Sequence, residues 1–367
     1  MGPARLRPLL DLWPAEEAWA RAVRGDVPAV GDHLRDVWRS AAARFAPDDL
    51  LAAHRERGVE VLCASDDAFP VALRDDPEPP AVLFVRGDLG VLGEVGARRR
   101  VAIVGTRRCT WSGRTVARSL GSDLAAAGVS VVSGLALGID GEAHTGALEV
   151  DGRGGAPPIG VVGTGLDVVY PTRHAALWDR VATAGALVSE YPLGTTAERW
   201  RFPARNRIIA ALAEVVVVVE SAARGGSMHT VDAALERDRP VLAVPGSVRS
   251  PASAGTNGLL AAGCPPCRDV DDVLVALGLT AGSAAGRGAR GEFGGGVAEV
   301  DARAPHPPLP DDADAVAVLD ALGWEPATLD ELAERLGVPL GPLAVHLTRL
   351  ANAGWVIQRA GWWERTR

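Results

Sequence analysis

Five short aliphatic runs, Val101–Val104, Val129–Val132, Ile159–Val162, Val215–Val219 and Val241–Val244, constrain what the middle of this chain can become. Nearly every position in them is apolar, so strands built from them must be buried on both faces. A strand with one wet face would instead alternate apolar and polar residues. Helical segments separate the runs, and strands alternating with helices form a parallel sheet covered on either side. The expected fold class is α/β: a Rossmann-like, doubly wound, mostly parallel sheet of about 170 residues.

Flanking patterns extend this layout. Residues 1–55 read as a helical N-terminal region, with Leu9, Leu12, Trp19 and Val23 recurring among Arg and Glu. Short strands are expected at Val59–Cys63 and Val82–Val85, on either side of a Pro-rich loop, Pro70 to Pro80. A Rossmann-like domain then spans 56–278. The Gly-, Ala- and Pro-rich stretch 279–310 reads as a flexible linker. In 311–367, helices are expected at Asp314–Leu322, Leu329–Leu336 and Pro342–Ala353, the second opened by a capping box from Thr328 to Glu331. A hairpin of Trp355–Gln358 with Trp362–Glu364 completes a winged helix-turn-helix.

Composition removes several classes of function. Hydrophobic residues make up 47% of the chain and charged residues 23%, as in a globular protein with a sizeable core. The net charge is −8, so a polyanion would have to be held by a local concentration of positive charge. There is no Lys, and every basic residue is Arg. Residues 1–12 contain no apolar core of signal-peptide length, and no aliphatic run is long enough to cross a bilayer. With four Cys and no disulfide pattern, a reducing cytoplasm is expected. Cys264-Pro265-Pro266-Cys267 has CxxC spacing but no second ligand pair, and it reads as a structural turn.

The strand ends carry the chemistry. The first run ends in Gly105-Thr106-Arg107, ahead of a helix expected near Ser112-Gly113. Such a glycine turn can leave backbone N–H groups at the positive end of a helix dipole, which suits an anion. A tight packing turn beneath a surface Arg is the plainer alternative. Without GxGxxG, phosphate fits better than a dinucleotide, and no cofactor is expected. The second run leads into Ser133-Gly134, at a carboxyl end where open α/β sheets bind ligands. Asp140 and His144 stand i,i+4 on the following helix, and with no third partner they read as structural. Gly163-Thr164-Gly165, then Tyr170-Pro171, add a loop at the same edge, and Arg173 beyond it either reaches phosphate or is a solvated loop residue. Gly225-Gly226-Ser227 adds another loop, and Ser227 is also a natural N-cap.

Arg199-Trp200-Arg201-Phe202-Pro203-Ala204-Arg205-Asn206-Arg207 places four guanidiniums and two rings within nine residues. Guanidinium holds phosphate bidentately, and aromatic rings stack on unpaired bases. The alternative is a solvated turn anchored by two core aromatics. Convergence of this segment with the small-residue loops favours a phosphate-lined groove.

In order along the chain, IVGTR, VVSGLALGID with His144, GTGLDVVYP, SEYP, FPARNRIIA, GGSMHT, VLAVPG and GTNGLLAAG resemble the DprA/Smf family of DNA-processing proteins. The resemblance runs from about Val59 through Cys264 and continues into the winged helix. It implies a homodimer that binds single-stranded DNA, protects it, and loads the RecA recombinase in natural transformation, without catalysis. It also implies DNA contacts from Gly105, Thr106 and Arg107, from Ser133 and Gly134, and from Gly226. Arg205 and Arg207 would lie on phosphates and Phe202 on a base, with Arg199 as the basic residue just ahead and Asn206 and Ser227 completing the pocket. The chain departs from the family pattern at Ala211, Ala213, Met228-His229 and Cys264. A different class, nucleoside-monophosphate phosphoribohydrolases, shares glycine turns of this kind but uses a PGGxGTxxE motif. Here the segment Arg224 to Ala233 supplies no such Glu. The winged helix carries only His346 and Arg349 on its expected recognition helix, so a protein contact fits it as well as DNA.

Overall fold

The computed structural model describes residues 3–27, 31–44, 46–93, 99–150, 154–279, 312–322, 326–359 and 361–366. The chain divides into two compact units, the larger ending at Leu279. Most of the expected linker lies outside the described residues, but Leu279 itself packs against the core of the larger unit.

The larger unit opens with helices α1 (Pro3–Leu12), α2 (Ala15–Arg24), α3 (Asp32–Ala42) and α4 (Pro47–Glu56). Leu9, Ala18, Ala22, Val27 and Trp38 close a small core of their own. The central sheet has eight strands: β1 (Val59–Cys63), β2 (Val82–Gly87), β3 (Arg100–Val104), β4 (Ser130–Ser133), β5 (Ile159–Val162), β6 (Ala186–Ser189), β7 (Val215–Val218) and β8 (Val241–Ala243). Their spatial order is β1-β2-β6-β5-β4-β3-β7-β8. From β6 to β8 every pairing is parallel, and only β1–β2 and β2–β6 are antiparallel. The five aliphatic runs became β3, β4, β5, β7 and β8. Strand β6 was not among them, because Ala186-Leu187-Val188-Ser189 has only two large aliphatic residues. The Pro-rich loop contains one helical turn, α5 (Val71–Arg74).

Both faces of the sheet are covered, as continuous aliphatic runs require. The remaining helices of this unit are α6 (Trp111–Ala126), α7 (Ile139–Ala147), α8 (Ala175–Ala184), α9 (Arg201–Leu212), α10 (Met228–Leu235), α11 (Ala254–Ala261) and α12 (Val270–Ala276). Ala102, Val104, Val161, Val216 and Val218 face Ile208, Ile209 and Leu212 of α9 and Val231 of α10. Their neighbours Val101, Ile103, Val131, Val215 and Val217 face Leu120 and Leu124 of α6, Ile139 of α7 and Val273 of α12. Trp178 and Val181 of α8 extend this second layer over Val162 and Leu187. Each such side chain contributes roughly 1.5–3 kcal/mol on burial. Asp269 caps α12, its carboxylate accepting from the backbone N–H groups of Asp271 and Asp272.

Described by itself, the C-terminal unit holds α13 (Ala313–Leu322), β9 (Ala327–Thr328), α14 (Leu329–Leu336), α15 (Leu340–Asn352), β10 (Val356–Arg359) and β11 (Trp362–Arg365). The strands form a sheet of order β10-β11-β9. Thr328 and Glu331 make the reciprocal capping box expected at α14. Leu319, Leu332, Leu347, Trp355 and Trp363 form the core. Three helices and a hairpin in this order are the expected winged helix.

Candidate nucleic-acid interface

From Arg201 on, the Arg-rich segment forms the first two turns of α9, and helical periodicity decides where those side chains go. Phe202 and Arg205, at i and i+3, share one face of α9, whereas Arg207 lies on another. Phe202 is half-buried. The guanidinium of Arg107, from the loop after β3, sits over its ring at 5.1 Å, and Tyr170, from the loop after β5, lies 5.3 Å from it. Gly134, Ala136, Leu137, Pro171 and Arg205 complete a small pocket beneath this cluster. One exposed cation and two aromatic rings above a floor of small residues and the buried Arg205, at the carboxyl edge of the sheet, can take a flat aromatic group with an anion beside it.

Arg205 forms the floor and is a buried cation. It is 4% exposed, and its Nη1 donates to the Val161 carbonyl at 2.7 Å. Burial pushes its pKa down to about 10, against the stabilising charge of Asp140. Asp140 is itself buried, and burial raises its pKa while Arg205 opposes the rise. Its Oδ2 also accepts from the Gly134 N–H at 3.1 Å. The expectation that Arg205 lies on a phosphate therefore needs correction: the side chain is buried, and its charge offsets part of the burial of Asp140 inside the protein. A Cβ on Gly134 would overlap the guanidinium of Arg205, so glycine is required there by close approach. Gly134→Ala should displace the guanidinium and cost ~1–3 kcal/mol through overpacking, read as a lower midpoint of urea unfolding. An unchanged midpoint would disprove the requirement.

The other expected contacts separate into roles. Ser133 is fully buried and its hydroxyl donates to the Ile103 carbonyl at 2.6 Å, so it ties β4 to β3 and does not face the pocket. Gly105 packs against Ile139 and the Glu220 backbone, and the Thr106 N–H donates to the Glu220 carbonyl at 2.7 Å. That N–H is consequently not free for an anion, which corrects the reading of this turn. Arg207 pairs with Glu190 at 2.5 Å and lies 3.6 Å from Glu78, away from Phe202. Asn206 donates to the Gly226 carbonyl at 3.3 Å, linking α9 to the loop after β7. Gly226 is exposed, with open space where a Cβ would stand. Ser227 is buried against Ser221 Oγ at 2.8 Å and occupies the N-cap position of α10 without a side-chain capping bond. Arg199 is exposed just before Trp200, whose ring meets Tyr191 edge-on at 6.3 Å. Arg201 lies over both rings and pairs with Glu198 at 3.0 Å.

Asp140 and His144 do not work as a pair. His144 is fully buried and burial pushes its pKa down to about 4, so it is neutral at physiological pH. Leu135, between the pocket residues Gly134 and Ala136, holds a left-handed backbone (φ 53°) that a branched side chain seldom adopts. Its carbonyl lies 3.0 Å from His174 Nδ1, and its side chain is buried. Cys264 and Cys267 are free thiols, and the turn between them pairs with Ala243 beside β8. Among the described residues no cluster of three His, Cys, Asp or Glu is placed to hold a metal. No helix among them is long and apolar enough to cross a membrane.

Sequence reasoning placed Tyr170 only in the loop at the sheet edge and Arg173 only within reach of phosphate or solvated, and it overlooked Arg108, Arg114 and Arg180 beside the pocket. Arg108, Arg114, Arg173 and Arg180 line a groove of about 520 Å³ that shares Arg107 and Leu137 with the pocket. Spread over two loops and two helices, these residues carry no linear signal as a set.

The profile of the family described as DNA recombination-mediator protein A matches residues 60–278, more than half of the chain. The chain belongs to the DprA/Smf family. A second profile, the DprA winged helix domain, matches residues 302–361. The DNA processing protein DprA of Bacillus subtilis (strain 168) is 38% identical over 276 residues, covering 73% of this chain and 89% of that protein. Protein Smf of Escherichia coli (strain K12) is 35% identical over 308 residues, covering 84% and 77%. The X-ray structure of DprA from Streptococcus pneumoniae matches with a TM-score of 0.59 and 32% identity, over 69% of this chain and 85% of that one. DprA from Helicobacter pylori, whose structure is described as giving insight into a single-stranded DNA binding mode, matches with a TM-score of 0.52 and 28% identity. That match covers 60% of this chain and 95% of the other. The DprA relationship accounts for the sequence motifs as a set: they are the loops at the carboxyl edge of the sheet and the helix that packs beside them.

Proposed function

We propose that this DprA/Smf protein binds single-stranded DNA at the Arg107–Phe202–Tyr170 pocket, protects it, and loads RecA onto it during transformation or recombination. One observation carries the reading: a half-buried ring with a guanidinium over it and a second ring beside it, at the sheet edge where open α/β folds bind ligands. Unpaired bases offer the π-faces such rings stack on, whereas duplex DNA hides them. The protein acts without catalysis in this reading, in the cytoplasm, as a homodimer and with no cofactor. The chemistry of the site supports binding: its buried carboxylate, Asp140, is committed to Arg205 and Gly134, leaving no free base in the pocket.

Fluorescence anisotropy with oligo-dT and a duplex of equal length, titrated across salt, tests the binding step. The expected result is a clear preference for the single strand, with affinity falling as salt rises at a slope of about 0.7 per phosphate contact. Equal or tighter binding of the duplex would refute it. RecA loading is tested separately, by whether the protein speeds RecA filament formation on single strands already covered by a single-strand-binding protein. No acceleration would remove that part of the proposal. Deleting the chain beyond about residue 305 is expected to leave oligo-dT binding in place, since all pocket residues precede it.

A further inference from the structure

The groove beside the pocket has no role in the reading above. Five arginines line it, Arg107, Arg108, Arg114, Arg173 and Arg180, against one carboxylate, Glu142. That carboxylate is already engaged, 3.6 Å from Arg114 and 3.8 Å from Arg118. Arg108, Arg173 and Arg180 are exposed and make no ion pair within 4.0 Å among the described residues, though Glu149 feels the charge of Arg180. In a chain of net charge −8, three such arginines in one depression are a local reversal of the protein's field. The other lining residues are small or neutral. A Cβ at Gly141 would run into the His174 ring, and Gly138, at φ 82°, lets the start of α7 lie against the loop carrying Arg107. Both glycines allow close packing here, and the groove lies between the loop after β3 and α8.

The groove and the pocket meet at Arg107 and Leu137, which line both. A strand with one base seated on Phe202 would therefore pass Arg107 and come directly upon the next three guanidiniums. The groove holds no Phe, Tyr or Trp, and its one ring, His174, is held against Gly141 with Nδ1 at the Leu135 carbonyl, so charge rather than stacking dominates its surface. We propose that it is a phosphate track: it holds the sugar-phosphate backbone of the same single strand beyond the nucleotide in the pocket, whatever its sequence. This rests on the pocket being the single-strand site. Within that reading it divides the labour, with base stacking at Phe202 and backbone capture along α8 and the loop before it.

The division predicts a dependence on strand length. Arg173→Ala/Arg180→Ala changes two exposed residues that make no described bond, so the fold should be unaffected. Anisotropy is measured with oligo-dT of about six and about twenty nucleotides, one near the short end of single-strand site sizes and one beyond the long end. The double variant should bind the short oligomer as the wild type does, while its salt slope for the long one falls by about 1.4, or 0.7 for each lost contact. Arg173→Lys/Arg180→Lys, which keeps the charge, should restore most of that slope. A slope unchanged on the long oligomer overturns the proposal, as does an equal loss on both lengths. If the wild type binds neither length, the pocket reading itself fails and the track falls with it. If the wild type binds both and only the length dependence is missing, the pocket stands and the track alone is refuted.

Discussion

Phe202→Ala is expected to weaken oligo-dT binding by ~1–3 kcal/mol, roughly 5- to 150-fold, the range measured for losing one base–aromatic stack. Phe202 is the ring that both Arg107 and Tyr170 approach, so its removal also leaves the Arg107 guanidinium without its platform. The effects of Phe202→Ala and Arg107→Ala should therefore be less than additive, as for residues in direct contact. Their signatures differ all the same. Arg107→Ala should lower the salt slope by about 0.7, and Phe202→Ala should lower affinity with the slope nearly unchanged. Neither side chain belongs to the buried clusters of the sheet, so thermal stability should hardly change. Anisotropy titrations of both single variants and the double variant check this. Full additivity, or a slope change from Phe202→Ala equal to that from Arg107→Ala, would show that ring and guanidinium do not form one site.

The largest stability effect is expected at Arg205. Arg205→Ala removes the larger of the two cations that oppose the burial of Asp140 and leaves only Arg107, and uncovering a buried charge in this way costs up to about 3–5 kcal/mol. The pH dependence has a defined sign. Burial places the pKa of Asp140 in the folded protein above its unfolded value, so between the two the folded state holds a proton that the unfolded state has released. Stability therefore falls as pH rises through that window. Arg205 lowers the folded value, and removing it stretches the window upward. The penalty of Arg205→Ala should consequently be smaller near pH ~4 and grow toward pH ~7, and Asp140→Asn in the same background should recover a large part of it. Urea unfolding at both pH values measures this. A penalty that shrinks as pH rises would contradict the assignment.

The same residue shows where sequence reading runs out. Val101–Val104 and Val215–Val218 announce their strands because a continuous aliphatic run has few other uses, and Thr328 with Glu331 marks a helix start through local bonds alone. Local chemistry of that kind is legible from one sequence. In contrast, Arg199, Arg205 and Arg207 look alike as letters. Only the turn of α9 sends Arg205 inward to Asp140 and Arg207 toward Glu190, leaving Phe202 at the pocket. Nothing near Arg205 in sequence signals Asp140 or Gly134, which arrive from the loop after β4 and from α7. Arg108, Arg173 and Arg180 come together for a similar reason, since the order of β3, β4 and β5 in the sheet sets their loops side by side. The DprA/Smf motifs located the site, and tertiary contacts decided which of its residues face outward.

Whether Phe202 stacks on a base is read most directly by oligo-dT carrying a single 2-aminopurine, whose fluorescence is quenched on stacking. The wild type should quench the probe, and Phe202→Leu, which keeps an apolar side chain without a π-face, should lose the quench while retaining the salt-dependent part of binding. Equal quenching by wild type and Phe202→Leu would contradict the account.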